Sequence, residues 1–290
     1  MMRLVTANRA NQILYNFVKG NGISGNVIVP ANICQSVVDT LNMVGMDVVF
    51  VDIDPNTYCV DKGQSEKAAQ NASMCVYVHT YGIEGECPDW LYGLKKTNPN
   101  IIIVDDRCLC LPRTEWSADE EADLVLFSLG PKKQVSLGGG GFGFVKDEMK
   151  YHSMQSFANI SSGIFYNKVF DLDEIVSKTK YAIEHKESIN RIYASCLPKS
   201  IQYPVAYQSW RFNINVSNKE EMLRQIFAAG LFASGHYKPL SENCPVAAEV
   251  YNRTINLFND FYYSEEQARK TCEIINLCLK EFPAMNANLL

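Results

Sequence analysis

Lys132 and Lys133 stand where the chain leaves a buried strand. The apolar run Leu124 to Phe127 reads as that strand; it stops at Ser128, and Gly130 and Pro131 turn the chain before the two lysines. Four consecutive glycines, Gly138 to Gly141, come next, and a second strand follows from Phe142 to Val145. On spacing alone the lysines are equally two solvated loop charges. A loop at the end of a buried strand, however, is where α/β proteins carry reactive groups, and glycines let backbone approach a ligand closely. A lysine there points to a covalent or anionic ligand. Upstream, the run Ile101 to Val104 ends in Asp105 and Asp106, at the kind of strand end where open α/β sheets bind ligands. An aspartate at one strand end, a serine at the next and a lysine in the loop are what pyridoxal phosphate requires. Lys133 or its neighbour supplies an amine for a Schiff base, and Asp106 pairs with the pyridine nitrogen, keeping it protonated so that the ring absorbs a carbanion's electrons. The Ser128 hydroxyl, with nearby backbone N–H groups, suits the phosphate.

The elements that position these groups alternate along the chain. The spacing of Ala10, Ile13, Leu14, Phe17 and Val18 predicts a helix over Thr6 to Lys19, closed by Gly20. Strands are expected at 27–29, 48–51, 74–79 and 101–104, and helices around Val37 to Val44 and after Pro88. Several of these strands are apolar throughout, which implies a largely parallel sheet covered on both faces. Beyond Lys146 the texture changes. A long helical pattern at about Leu172 to Ala194 precedes a strand at Arg211 to Val216, a helix at Lys219 to Ala229, the loop SGHYKPL and a final helix after the capping-box sequence Ser264 to Gln267. The expected fold class is therefore α/β, a large cofactor-binding domain over 1–160 with a smaller α+β domain over 161–290.

Composition narrows the function classes. With 290 residues, 47% hydrophobic and 20% charged, the chain resembles an ordinary globular protein with room for a large core. A net charge of -5 argues against a nucleic-acid surface, and no apolar run approaches a membrane span. The start, MMRLVTANRANQ, lacks a signal-peptide core, so cytoplasm is the expected location. The ten cysteines are scattered, several inside apolar runs, and read as small buried hydrophobes rather than disulfides or zinc ligands. Gly20 to Gly25 matches G-x-G-x-x-G, but a helix precedes it and a strand follows, the reverse of a dinucleotide site, so it reads as a helix-ending turn. His79, at a strand end, reads as structural, and Asp52 and Asp54 read as turn residues.

The order of these pieces resembles the DegT/DnrJ/StrS family of pyridoxal-phosphate-dependent sugar aminotransferases, of aspartate-aminotransferase fold. The resemblance is carried by residues 27–58, VYVHTYG (76–82), IIIVDD (101–106), FSLGPKK (127–133) with its glycines, and GLFASGHYKPL (230–240). It puts the Schiff-base lysine on Lys133, the pyridine-nitrogen aspartate on Asp106 and the phosphate-binding serine on Ser128. The related sugar dehydratases have histidine in place of that lysine, so Lys133 favours transamination. Asn8 and Arg9 take the place of a Gly-Thr pair that contributes phosphate-binding groups, and Asn32 or Cys34 that of an aromatic stacked on the cofactor ring. Leu109 stands where Gln or His contacts the phenolic oxygen. His236 and Tyr237 match a loop near the active site and are expected to contact substrate. A segment ahead of the first helix is expected to be missing, and Tyr166-Asn167 to be the remnant of an Asn-Tyr-Arg-Met stretch. The resemblance implies a homodimer that transfers an amino group from an amino acid such as glutamate to a keto sugar linked to a nucleotide. The altered contacts leave a second reading open, a relative that keeps the fold without amino transfer.

Overall fold

The computed structural model describes residues 2–117, 121–160 and 170–281. In chain order the elements are β1 (Arg3–Ala7), α1 (Ala10–Gly20), β2 (Gly25–Pro30), α2 (Gln35–Met43), β3 (Met46–Val51), α3 (Lys62–Ala68), β4 (Ala72–Val78), α4 (Asp89–Thr97), β5 (Ile102–Asp106) and β6 (Leu124–Ser128). Then follow β7 (Gly141–Val145), α5 (Glu148–Ile160), α6 (Leu172–Cys196), β8 (Phe212–Asn215), α7 (Lys219–Ala228), β9 (Ala233–Ser234), α8 (Pro245–Arg253), β10 (Thr254–Leu257) and α9 (Glu265–Glu281).

Among the described residues the strands form a seven-stranded sheet in the order β1-β7-β6-β5-β4-β2-β3 and a three-stranded sheet in the order β8-β10-β9. Neighbours from β3 through to β6 run parallel; β7 and β1 are antiparallel additions at one edge. The continuous apolar runs have a direct cause, since successive side chains leave opposite faces of a strand. Val104, Leu124 and Leu126 pack with Ile13, Phe17 and Leu41 of α1 and α2, whereas Ile103, Val125 and Phe127 pack with Leu91 and Leu94 of α4 on the other face. Both faces are dry, so both must be apolar. The small sheet builds a separate core with Ile189 and Ile192 of α6, Ile226 of α7 and Ile275 of α9. The capping box forms at the start of α9: Gln267 N–H donates to Ser264 Oγ at 3.1 Å, and Ser264 N–H to Gln267 Oε1 at 2.9 Å.

Three expectations are corrected. Thr6 and Ala7 are not helical; they end β1, which pairs with β7, and the helix begins at Ala10. Val5 and Ala7 point inward with a period of two, and their apolar positions run on without a break into the helical stripe of α1. Asp52 is not a simple turn residue. Its carboxylate accepts the Val246 and Ala247 N–H groups at 2.9 Å each, so it caps the first turn of α8 from the end of β3. Helices α3, α5 and α8 and strand β10 lie where no element was expected. The expected domain boundary at 160/161 and the Tyr166-Asn167 remnant fall at or within 161–169, outside the described residues. Gly20 closes α1 and Gly25 opens β2, in keeping with a helix-ending turn.

Candidate active site

The carboxyl ends of the parallel strands converge on a cavity of about 510 Å³. Asn8 and Arg9 reach it from the start of α1, Asn32 and Cys34 from the turn after β2, and Val78 and Thr80 from the end of β4. Asp106, Cys108 and Leu109 enter from β5, Ser128 from β6, and Lys133 with Gly138 to Gly140 from the loop before β7. Tyr237 arrives from the loop after β9. Open parallel sheets place ligands in this position because the loops at the carboxyl ends diverge there and leave a crevice.

Asp106 is buried, and its Oδ1 accepts the Cys108 N–H at 2.9 Å. Asp105 points through the opposite face to His79 Nε2 at 2.9 Å and Arg107 Nε at 2.6 Å. Burial alone would raise the Asp105 carboxyl; its contacts with His79 and Arg107 outweigh that and hold it below the usual range. The His79 Nδ1 side meets the Ile83 carbonyl at 2.9 Å, so this histidine belongs to the structural triad. Cys108 lines the same cavity as Asp106 and Lys133. Burial around its sulfur pushes the thiol well above the usual range, the Asp106 carboxylate adds to this, and the Lys133 ammonium opposes it.

The other expected residues divide. Arg9 is the N-cap of α1, extended at φ -151°, with no side-chain cap bond, no acid in the first helical turn and no ion pair among the described residues. Its exposed guanidinium at the N-terminus of α1 makes a cationic corner of the cavity, which Gly139 and Gly140 also line. The glycines have a structural reason as well. A Cβ on Gly141 would overlap the backbone of Ala10, so glycine is what lets α1 start against β7. Ser128 is half-buried, its Oγ accepting the Gly130 N–H at 3.4 Å. Asn32 and Cys34 both line the cavity, Asn32 with its amide on the Tyr58 carbonyl at 3.1 Å. Leu109 lines it as part of an aromatic cluster with Tyr81, Tyr203, Tyr207 and Trp210. Of the GHYKPL pair, Tyr237 lines the cavity, whereas His236 does not: it is exposed, with its ring 5.9 Å from that of Trp210. The sequence reading missed Thr80 and Cys108. Both follow strand ends that the apolar runs had marked, and that position was the available signal.

A mainly parallel α/β sheet with a cavity at its carboxyl edge is an architecture that pyridoxal-phosphate-dependent transferases share with other α/β proteins, and an amine, a buried carboxylate and a cationic corner in one pocket fit that cofactor. A model of the DegT/DnrJ/EryC1/StrS aminotransferase family matches residues 5–276, and the chain belongs to that family, whose members depend on pyridoxal phosphate. The fold is similar to that of Spr1654 from Streptococcus pneumoniae, a proposed sugar aminotransferase, in its PLP-form: TM-score 0.78 and 19% identity over 97% of this chain and 88% of that one. It is also similar to a DegT DnrJ EryC1 StrS aminotransferase from Brucella abortus, with TM-score 0.75 and 18% identity over 94% and 85% of the two chains. DesI, solved in the presence of its TDP-sugar product, gives TM-score 0.76 and 18% identity over 95% and 80%. No curated protein matches the chain in sequence.

Proposed function

We propose that this chain transfers an amino group from an amino acid such as glutamate to a keto group on a nucleotide-linked sugar. The observation that carries the reading is the shared cavity: Lys133, Asp106 and Ser128 line it together, with Arg9 and the start of α1 at one corner. Family membership supports amino transfer, and DesI with its TDP-sugar product supports a nucleotide-linked sugar as the acceptor.

Pyridoxal phosphate, when bound, supplies the carbonyl that captures amines and the ring that takes up electrons. The chain's own residues have these roles. Lys133, on the cavity wall, would hold the cofactor through its Nζ and, once released, would serve as the base and acid for the proton at the donor's α-carbon. Asp106 would pair with the pyridine nitrogen and keep it protonated. Ser128, Asn8 and Arg9, at the α1 end of the cavity, would hold the phosphate. Asn32 and Cys34, which line the cavity, would bound the ring face in place of an aromatic. Tyr237 borders the substrate side; burial and the nearby Cys34 and Asp106 hold its phenol above the usual range, so it is a neutral hydrogen-bonding group. His236 stands outside the cavity lining, beside Trp210, and its expected contact with substrate would be made from there.

Lys133→Ala should abolish the visible absorbance of the cofactor–lysine adduct; a borohydride-reducible adduct persisting elsewhere in that variant would refute the assignment. Leu109, an apolar side chain on the cavity wall where the family carries a hydrogen-bonding one, favours a second reading, a relative that binds cofactor without transferring amines. Adding L-glutamate to the loaded protein decides between them, since conversion to the amine form requires the first half-reaction. Among the described residues no helix is long and apolar enough to cross a membrane, and the proposed setting is a cytoplasmic homodimer acting on small molecules.

A further inference from the structure

Lys132 and Lys133 are adjacent, and residue type does not separate them. Lys133 lines the cavity; Lys132 is exposed and does not. The backbone makes the difference, because Lys132 has φ +65°, in the left-handed region that costs an L-residue conformational energy. The surroundings hold it there. The Lys132 carbonyl accepts from Trp210 Nε1 at 3.3 Å and from Arg211 Nη2 at 3.5 Å. On the other side of Lys133, Gln134 Nε2 donates to Ser209 Oγ at 2.6 Å. One tripeptide, 209–211, thus grips the residues on both sides of the lysine.

That tripeptide is itself fixed. The Trp210 N–H donates to the Tyr81 carbonyl at 3.4 Å, and the Trp210 carbonyl accepts from the buried Lys186 Nζ at 3.0 Å. Arg211 pairs with Asp260 at 3.0 Å and lies 4.2 Å from the Phe258 ring centroid. The indole also stacks on Tyr237, with centroids 5.9 Å apart and planes 17° from parallel.

We propose that Trp210 is a positioning residue that selects Lys133 over Lys132 as the amine presented to the cofactor, by pinning the Lys132 carbonyl in its left-handed turn while seating Tyr237 on its ring. Releasing that carbonyl lets the backbone relax toward negative φ at residue 132, which turns the two lysine side chains about and offers Lys132 to the cavity. The inference rests on the aminotransferase reading of the cavity.

Trp210→Phe tests it, since the variant keeps an aromatic ring against Tyr237 and removes the indole N–H. Protein loaded with pyridoxal phosphate is reduced with borohydride, digested, and the pyridoxyl group located by fragment-ion mass. In the unaltered protein the group is expected on Lys133. In the variant the Lys132-to-Lys133 ratio should rise about fivefold, the equivalent of one neutral hydrogen bond, and cofactor affinity should fall by a similar factor. An unchanged ratio with unchanged affinity overturns the proposal. Ser209→Ala, which frees Gln134 and leaves the indole bond intact, should shift the ratio in the same direction by less. If Trp210→Phe does not fold, an unchanged ratio in Ser209→Ala overturns the proposal in its place. A label absent from Lys133 in the unaltered protein overturns the reading of the cavity, and this inference with it.

Discussion

Asp105 and Asp106 are adjacent in the chain yet face opposite sides of the sheet, because side chains alternate along a strand. Asp105 serves stability. Its pKa is lowered in the folded protein, so its contribution is fully present above the unfolded value of about 3.9 and is lost as pH falls through the lower folded value. Asp105→Asn should cost about 3–5 kcal/mol by breaking a buried ion pair, measured by urea unfolding at neutral pH. The difference from the unaltered protein should shrink in acid. Asp106 lines the cavity and has the proposed chemical role. Asp106→Ala should leave cofactor on Lys133 but slow the half-reaction with glutamate about 10²-fold or more, the scale of losing one preorganised electrostatic contact. Stopped-flow absorbance checks this. Arg9→Ala should weaken cofactor binding about tenfold, as expected for one charge-assisted hydrogen bond, without affecting the rate of the bound form.

At the scale of elements, α1 is held by what it leaves exposed as much as by what it buries. Its apolar stripe, Ile13, Leu14, Phe17 and Val18, packs on the sheet, while Arg9 at its N-cap makes no side-chain cap bond and stays exposed at the cavity edge. Gly141→Ala forces a Cβ into the backbone of Ala10, so it should shift the start of α1 and lower both melting temperature and cofactor affinity. Helix α8 shows the limit of reading elements locally. Pro245 marks its first turn, but the cap comes from Asp52, 194 residues away from Val246. Helix periodicity and strand runs are short-range signals; a cap supplied from another element leaves no trace near the helix it stabilises. The same limit explains β1. Its pairing partner β7 lies over a hundred residues downstream, so Arg3 to Ala7 looked like the lead-in to α1.

At the scale of the whole molecule, the cavity exists only after the chain has closed on itself. Asn8, Asp106, Lys133 and Tyr237 come from distant parts of the sequence, so unfolding disperses the site. Bound cofactor should therefore stabilise the fold, by about 2.7 kcal/mol at a hundredfold excess over its dissociation constant, and Lys133→Ala should reduce that gain in thermal unfolding. The places of Asp106 and Ser128 on the cavity wall were legible beforehand, since each ends an apolar run at a strand end, and so was a lysine in the following loop, although spacing alone did not separate Lys132 from Lys133. Trp210 was not legible, since its bond to the Lys132 carbonyl spans 78 residues and nothing in the local pattern around it indicates a partner.

Amino-acid order by itself determined the alternation of strand and helix, the dry parallel sheet and the reactive groups at its edge, because hydrophobic period and turn chemistry act between near neighbours. Tertiary structure decided the rest: that Tyr237 enters the cavity and His236 stays outside, that Asp105 turns away from Asp106, and that Lys133 rather than Lys132 faces inward. Those outcomes depend on contacts between segments that meet only when the core is packed.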